Sequence, residues 1–275
     1  MIRLRGHAAI YGEVWYDEEP PRASEVDIIA YRHRPTPLAG ARSAPFLSLV
    51  TDLSPAPDAI AQKFGKDCRY KIRRAETKDG LRMEYIADPG DRLEEFIQFY
   101  DAFAQQKALS PCYREWLFAA CQARQLILTA ATRDDATLVW HAYVTCGRTA
   151  GLEYSGSLFR ERENDYRALV GRANRWLHWQ EMLRFKQAGL TRYDWGGIFE
   201  DDSTPERAGI NSFKREFGGE PECSYDCTVP VTMHGRLYLP IRNAWRRWRR
   251  FESAARKRFD AGTPNGPERI LMNAD

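Results

Sequence analysis

The sequence predicts an α+β protein, and three observations carry that reading. Short apolar or alternating runs bounded by turn residues recur through the first sixty positions and again from Gln125 to Leu158, as paired strands require. Between them lie segments whose apolar residues fall three and four apart, the spacing of one helix face. A late helical segment, "ANRWLHWQEMLRFKQAG", runs into the strand-like "TRYDWGG". Antiparallel strands, then a helix, then a strand make a mixed order rather than a strict βα alternation.

Taken in order, "AAIYGEVWY", "VDIIAYRHR" and "APFLSLVTDL" read as strands, the last preceded by the turn-rich "TPLAGARS". A helix is expected over "DAIAQKFGKDCRYKIRRAETKDG", stopping at Gly80, then a strand "LRMEYIA" and a turn at Pro89 and Gly90. "DRLEEFIQFYDAFAQQKA" places Leu93, Phe96, Ile97, Tyr100 and Phe103 on one helical face. After a third helix, "YREWLFAACQAR", the runs "QLILTAATR", "ATLVWHAYVTC" and "TAGLEYSGSL" are joined by short turns, which predicts an antiparallel meander. The next helix ends at Gly189, in the position where a residue of positive φ closes a helix.

These elements predict two units, residues 1–90 and 91–240, followed by a basic tail over 241–275. With 275 residues, 43% of them hydrophobic, the chain can bury a large core. A basic start leading into a long apolar run is missing, and about 18 consecutive apolar residues occur nowhere, which argues against a signal peptide or a span and for a cytoplasmic protein. Six scattered cysteines without a CxxC pair fit reduced thiols and predict no metal site. The net charge of +3 hides a concentration of charge: from Ile241 to Phe259 there are eight basic residues and one acidic one. Arg246, Arg247, Arg249 and Arg250 are the candidate contacts to a polyanion, either nucleic acid or anionic lipid, while Trp245, Trp248 and Phe251 at helical spacing would dock on the protein's own core.

The stretch "YDWGGIFEDDSTPERAGINSFKREFGGE" sets two glycine pairs around a lysine between phenylalanines. Gly196 and Gly197 permit close approach of a substrate or a neighbouring strand, or form a β-bulge. Asp194 on a strand points away from Tyr193 and Trp195; it either orients an amine and the lysine loop or caps the glycine turn through backbone amides. Phe213 and Phe217 share a helical face, which displaces Lys214 toward a cleft, or simply toward solvent. Tyr154 either lines the cleft or stands at the edge of the core. His141 and His178, among aromatic residues, read as packed histidines rather than bases.

Three stretches together resemble the Fem family of peptidoglycan peptidyltransferases, whose domains have the GNAT acyltransferase fold. They are "YKIRRAETKDGLRMEY", "ANRWLHWQEMLRFKQAGLTRYDWGG" and "GINSFKREFGGE", spanning Tyr70 to Glu220, and the last is the most specific. The chain departs from the family in lacking a coiled-coil arm and in its short, divergent first unit. The resemblance implies two GNAT-like units side by side, no permanently bound cofactor, and an activated acyl donor as co-substrate. That donor would be aminoacyl-tRNA, and the acceptor an amine on a peptide, glycan or metabolite precursor, joined to the acyl group by an amide bond.

The same resemblance implies that Lys214, beside Phe213 at the substrate, meets phosphate or developing negative charge, and that Arg73 helps hold a phosphorylated acceptor or the donor's nucleic acid. By itself Arg73 belongs to a charge run of the kind found on solvated faces. A CoA-using relative would carry an Arg/Gln-x-x-Gly-x-Gly/Ala loop where "RALVGRANR" stands; Arg167 and Gly171 are one residue too far apart for it. Arg167, Arg172 and Arg175 still crowd the expected helix start and make it a candidate anion site. Acyl-CoA or acyl carrier protein is therefore the alternative donor, and a non-catalytic RNA- or membrane-binding relative the alternative class.

Overall fold

The computed structural model describes residues 1–6, 8–16, 18–19, 25–159, 163–201 and 203–244. Strands β1 (Ile2–Arg5), β2 (Ile10–Trp15), β3 (Ile28–Arg34) and β4 (Arg42–Asp52) come first, then helices α1 (Pro57–Gln62) and α2 (Lys66–Lys78). After β5 (Arg82–Ile86), α3 (Arg92–Gln106) and α4 (Arg114–Gln122) comes the meander β6 (Leu126–Arg133), β7 (Ala136–Cys146) and β8 (Thr149–Ser157). The chain continues through α5 (Asn164–Gln187), β9 (Arg192–Gly197), α6 (Pro205–Arg215) and β10 (Glu220–Pro230), and residues 233–244 are helical. No helix among the described residues is long and apolar enough to cross a membrane.

The α+β expectation and the meander are met, and the strands of the described residues form one sheet. The ten strands among the described residues lie in the order β1-β2-β3-β10-β4-β9-β8-β7-β6-β5. The cause is β10, which the sequence reading missed: it inserts between β3 and β4 and pairs antiparallel with both. Contacts cross the boundary expected at residue 90: β5 pairs with β6 and α2 packs against α5. Each face of the sheet carries its own core. On one side α1, α2 and α5 cover Tyr143, Tyr193, Trp195 and Phe217; on the other, α3 and α4 cover Trp15, Tyr16, Trp140 and Leu128.

Two local differences follow from packing. The helix expected over 58–80 is broken into α1 and α2, because Phe64 turns inward against Phe217 (ring centroids 5.2 Å apart) and the Gly65 amide donates to the Glu216 carbonyl at 2.7 Å. Helix α5 begins at Asn164, well ahead of the expected start. The residues "RALVGRANR" are therefore helix interior, and Gly171 and Arg172 expose no free amides there.

The first glycine of the pair that follows Phe217 is fixed by sterics. Gly218 has φ +65°, and a Cβ built on it would lie 2.5 Å from the Lys63 carbonyl oxygen. Gly80, past the end of α2, has a similar φ of +62° with open space around it. Gly80→Ala is expected to cost only the left-handed backbone, about 1 kcal/mol. Gly218→Ala must also move backbone, and should lose at least ~1 kcal/mol more in urea unfolding. Equal losses would show that the chain around Lys63 yields freely.

Candidate active site

Strands β8 and β9 run parallel for three residue pairs only, ending at Gly151 opposite Asp194. Beyond that point each strand departs from regular geometry. In β8, Glu153 is the extra residue of a bulge between Leu152 and Tyr154; in β9, Gly196 takes φ +69°, its missing Cβ sparing the Leu152 carbonyl oxygen at 3.0 Å. Functional groups collect around this end of the pairing.

Asp194 faces away from the buried Tyr193 and Trp195, as the strand alternation predicts. Its Oδ1 accepts from the Gly196 amide at 2.8 Å, which realises the cap. Its Oδ2 accepts from the Tyr16 hydroxyl at 3.1 Å and lies 3.4 Å from His33 Nδ1. Burial would raise the carboxyl's pKa, but His33, the Gly196 amide and the Tyr16 hydroxyl stabilise the charge and hold it below the usual carboxylate range. Glu153 has the opposite outcome. Burial lifts it, Glu13 and Asp194 repel its charge, and His33 and Arg32 offset this only in part, leaving it at about 7.

Lys214 arrives from the last turn of α6. That helix is started by Thr204, whose hydroxyl accepts from the Arg207 amide at 3.3 Å, with Pro205 following. Buried Asn211 clasps the loop after β9: its Oδ1 accepts from the Phe199 amide at 3.0 Å and its Nδ2 donates to the Phe199 carbonyl at 2.9 Å. With loop and helix locked together, Lys214 Nζ donates to the Gly197 carbonyl at 2.6 Å. Burial lowers its pKa to about 8, against the attraction of Asp194 and Glu153. Phe213 packs beneath it on His178 and Trp195, and the Phe46 ring fills the space beside Gly197.

Lys214, Asp194, Gly196, Gly197 and Phe213 thus come together, while the other candidates lie elsewhere. Arg73 is exposed on α2. Tyr154 accepts from the Tyr113 amide at 3.3 Å and packs with Phe96 and Tyr100 on the α3 side of the sheet. Of the three arginines expected at the start of α5, Arg167 is near it, while Arg172 is bidentate to Asp79 at 2.6 and 2.9 Å and Arg175 is bidentate to Glu216 at 2.8 and 3.0 Å. Arg246, Arg247, Arg249 and Arg250 lie outside the described residues. The sequence reading passed over Glu153, Tyr16 and His33. A Glu between Leu152 and Tyr154 in an apolar strand was the one visible signal.

Behind Trp195 a polar network is sealed in the core. Glu181 accepts from the Thr129 hydroxyl and from the Tyr143 hydroxyl (2.5 Å), and lies 2.8 Å from His141 Nδ1; His178 Nδ1 is 2.6 Å from the Tyr193 hydroxyl. His141, His178 and Glu181 place ligand-type atoms within 4.8 Å of one another, and each already has a hydrogen-bonding partner. Both histidines are fully buried, as packed residues should be. Burial and the charge of His141 push His178 down to about 4.

Residues 62–215 match the model of a family described as an acetyltransferase (GNAT) domain. Among solved structures, the fold is similar to that of FemX, with a TM-score of 0.55 and 14% identity over 71% of this chain and 63% of that one. It is also similar to the C-terminal (DUF2156) domain of a protein from Agrobacterium fabrum described as a lysylphosphatidylglycerol synthetase, with a TM-score of 0.50 and 14% identity over 73% of this chain and 67% of that one. The chain therefore spans less than two thirds of FemX, and at these identities the likeness is one of fold. Compared by sequence with curated proteins, it matches none.

His178 and Glu153 act oppositely on stability. His178 is depressed from 6.5 to about 4, so between those values the unfolded chain binds a proton the folded one does not, and stability falls on acidification. Glu153 is raised from 4.5 to about 7, so stability falls as pH rises through that window. The two offset one another in the parent protein. Glu153→Gln removes one of them, and its stability is expected to drop between pH 6.5 and 4 with a slope of up to ~1.4 kcal/mol per pH unit, steeper than the parent's, in urea titrations at several pH values. A flat profile in that variant would remove His178 from the account.

Proposed function

The chain belongs to the acetyltransferase (GNAT) domain family, and from that premise we propose that it is an acyltransferase forming an amide between an aminoacyl group carried by tRNA and an acceptor amine on a peptide, glycan or metabolite precursor. The observation that carries the reading is a carboxyl at about 7 and an ammonium at about 8, gathered with Asp194 where β8 and β9 part. Amide formation needs a base for the acceptor ammonium and positive charge for the oxyanion. Glu153 takes the proton from the acceptor nitrogen, helped by Asp194, which orients the amine. The nitrogen attacks the ester carbonyl and Lys214 faces the oxygen that becomes negative. The C–N bond forms, the C–O ester bond breaks, and the leaving hydroxyl takes up a proton, so no covalent enzyme intermediate is needed.

What favours aminoacyl-tRNA over acyl-CoA is that "RALVGRANR", the place for a pyrophosphate loop, lies inside α5 with Arg172 and Arg175 already engaged by carboxylates. Incubation with charged tRNA and with acyl-CoA in parallel, followed by donor consumption, tests the choice. Consumption of acyl-CoA alone would reverse it, and consumption of neither would favour a binding protein.

With the right donor, turnover is expected to rise with pH through about 7 as Glu153 deprotonates and to fall through about 8 as Lys214 loses its charge. Glu153→Gln should abolish the lower limb and Lys214→Ala the upper, each with a loss of roughly a hundredfold to a thousandfold. Full turnover in Lys214→Ala would exclude its electrostatic role.

The basic tail supplies the polyanion contact in this reading, and a cytoplasmic location accords with a tRNA substrate. Replacing Arg246, Arg247, Arg249 and Arg250 together by Gln should weaken tRNA binding and flatten its salt dependence. If the variant loses affinity for anionic vesicles instead, the tail serves a membrane surface. Unchanged binding to both would leave it no such role.

A further inference from the structure

The side chains from other strands that hold Asp194 both lie before residue 62, ahead of the segment that matches the family model. Tyr16 follows β2 and His33 lies in β3, and both take left-handed backbone angles, φ 51° and 56°. L residues rarely adopt these angles unless their surroundings impose them. Here the Tyr16 amide donates to the Arg32 carbonyl at 3.0 Å and the His33 amide donates to Asp226 Oδ1 at 3.2 Å. The Tyr16 hydroxyl occupies the space of a Cβ on Gly151, 2.1 Å from where that atom would stand. The His33 imidazole is wedged against Trp15 and edge-on to Phe46, ring centroids 5.4 and 4.4 Å away, and its side chain is 7% exposed. Its Nδ1 has no formed hydrogen bond, only the 3.4 Å ion-pair contact with Asp194.

We propose that His33 is a positioning residue of the acyl-transfer site: its imidazolium, paired with Asp194, is the charge through which the N-terminal strands govern the protonation of Glu153. This rests on reading Glu153 as the base. The charged and titratable groups around Glu153 come from every neighbouring element: Glu13 and Tyr16 at β2, Arg32 and His33 on β3, Tyr154 on β8, Asp194 on β9 and Lys214 on α6, with Asp226 of β10 behind His33. Arg32 is bound to Glu13 (2.7 Å) and Asp226 (3.1 Å), and Lys214 is anchored on Gly197. Burial works against a charged His33, but Asp194 outweighs it and favours the imidazolium. Of these cations, Arg32 is thus held by two carboxylates and Lys214 by a backbone carbonyl, while the His33 imidazole has its ion-pair contact with Asp194.

The test needs no substrate. With ¹³C-labelled glutamate carboxyls in the full chain, the Glu153 signal is assigned by its loss in Glu153→Gln and followed through a pH titration. Its midpoint should be about 7 in the parent and rise by about one unit in His33→Gln, the effect of removing one nearby opposite charge. It should not move in His234→Gln, an exposed histidine paired with Asp27. An unshifted midpoint in folded His33→Gln overturns the proposal. Should that variant not fold, ¹⁵N signals of His33 in the parent and in Glu153→Gln decide instead: the His33 midpoint falls when the Glu153 charge is removed, and an unmoved one overturns the linkage. Full transfer activity in Glu153→Gln would refute the base assignment, while the spectra alone judge the linkage.

Discussion

Burying the charge of Asp194 is the constraint on which the site depends. A carboxylate with 2% of its surface exposed has to be met by donors in the protein, since leaving it unpaired costs far more than a single side-chain contact returns. Two donors and a cation meet it: the Gly196 amide within its own strand, the Tyr16 hydroxyl after β2, and the His33 imidazole on β3 at 3.4 Å. Each demands something of a fourth position. Gly196 must be left-handed, Gly151 must lack a side chain, and the side chains at the ends of β2 and β3 must reach β8 and β9. The unusual backbone angles around the site are consequences of one buried charge.

Burial perturbs both Lys214 and Glu153, and the fixed charge of Asp194 raises Glu153 further while opposing the fall at Lys214. Two carboxyls close together cannot both ionise cheaply, and here the well-solvated one by hydrogen bonds, Asp194, takes the charge while Glu153 keeps its proton to higher pH. The pairing separates a charged carboxyl from one that titrates near 7.

What the sequence made legible was local. Alternation placed Asp194 opposite Tyr193 and Trp195, phenylalanine spacing turned Lys214 out of the core, and Gly189 marked the end of α5, because each depends on residues within a few positions. The single sheet was hidden, since β10 finds its partners in β3 and β4, nearly two hundred residues away in the chain, and no periodicity encodes a partner. His33 and Tyr16 were hidden for the same reason. Glu153 was concealed by its bulge: regular alternation gives no sign that one strand residue is extra. The arginines of α5 misled because charge density was read without the carboxylates of Asp79 and Glu216 that neutralise two of them.

The insertion of β10 has a consequence for how the molecule comes into being. Without it the sheet order falls into two pieces, β1-β2-β3 and β4-β9-β8-β7-β6-β5, each with a bare edge. During synthesis β10 follows the other nine strands of the described residues, so a nascent length that ends between β9 and β10 carries two exposed templates for wrong pairing. Closure must then bring together segments at opposite ends of the chain, a slow kind of contact to form. The first piece carries Tyr16 and His33 and the second carries Asp194, so the step that removes the hazardous edges is also the step that assembles the site.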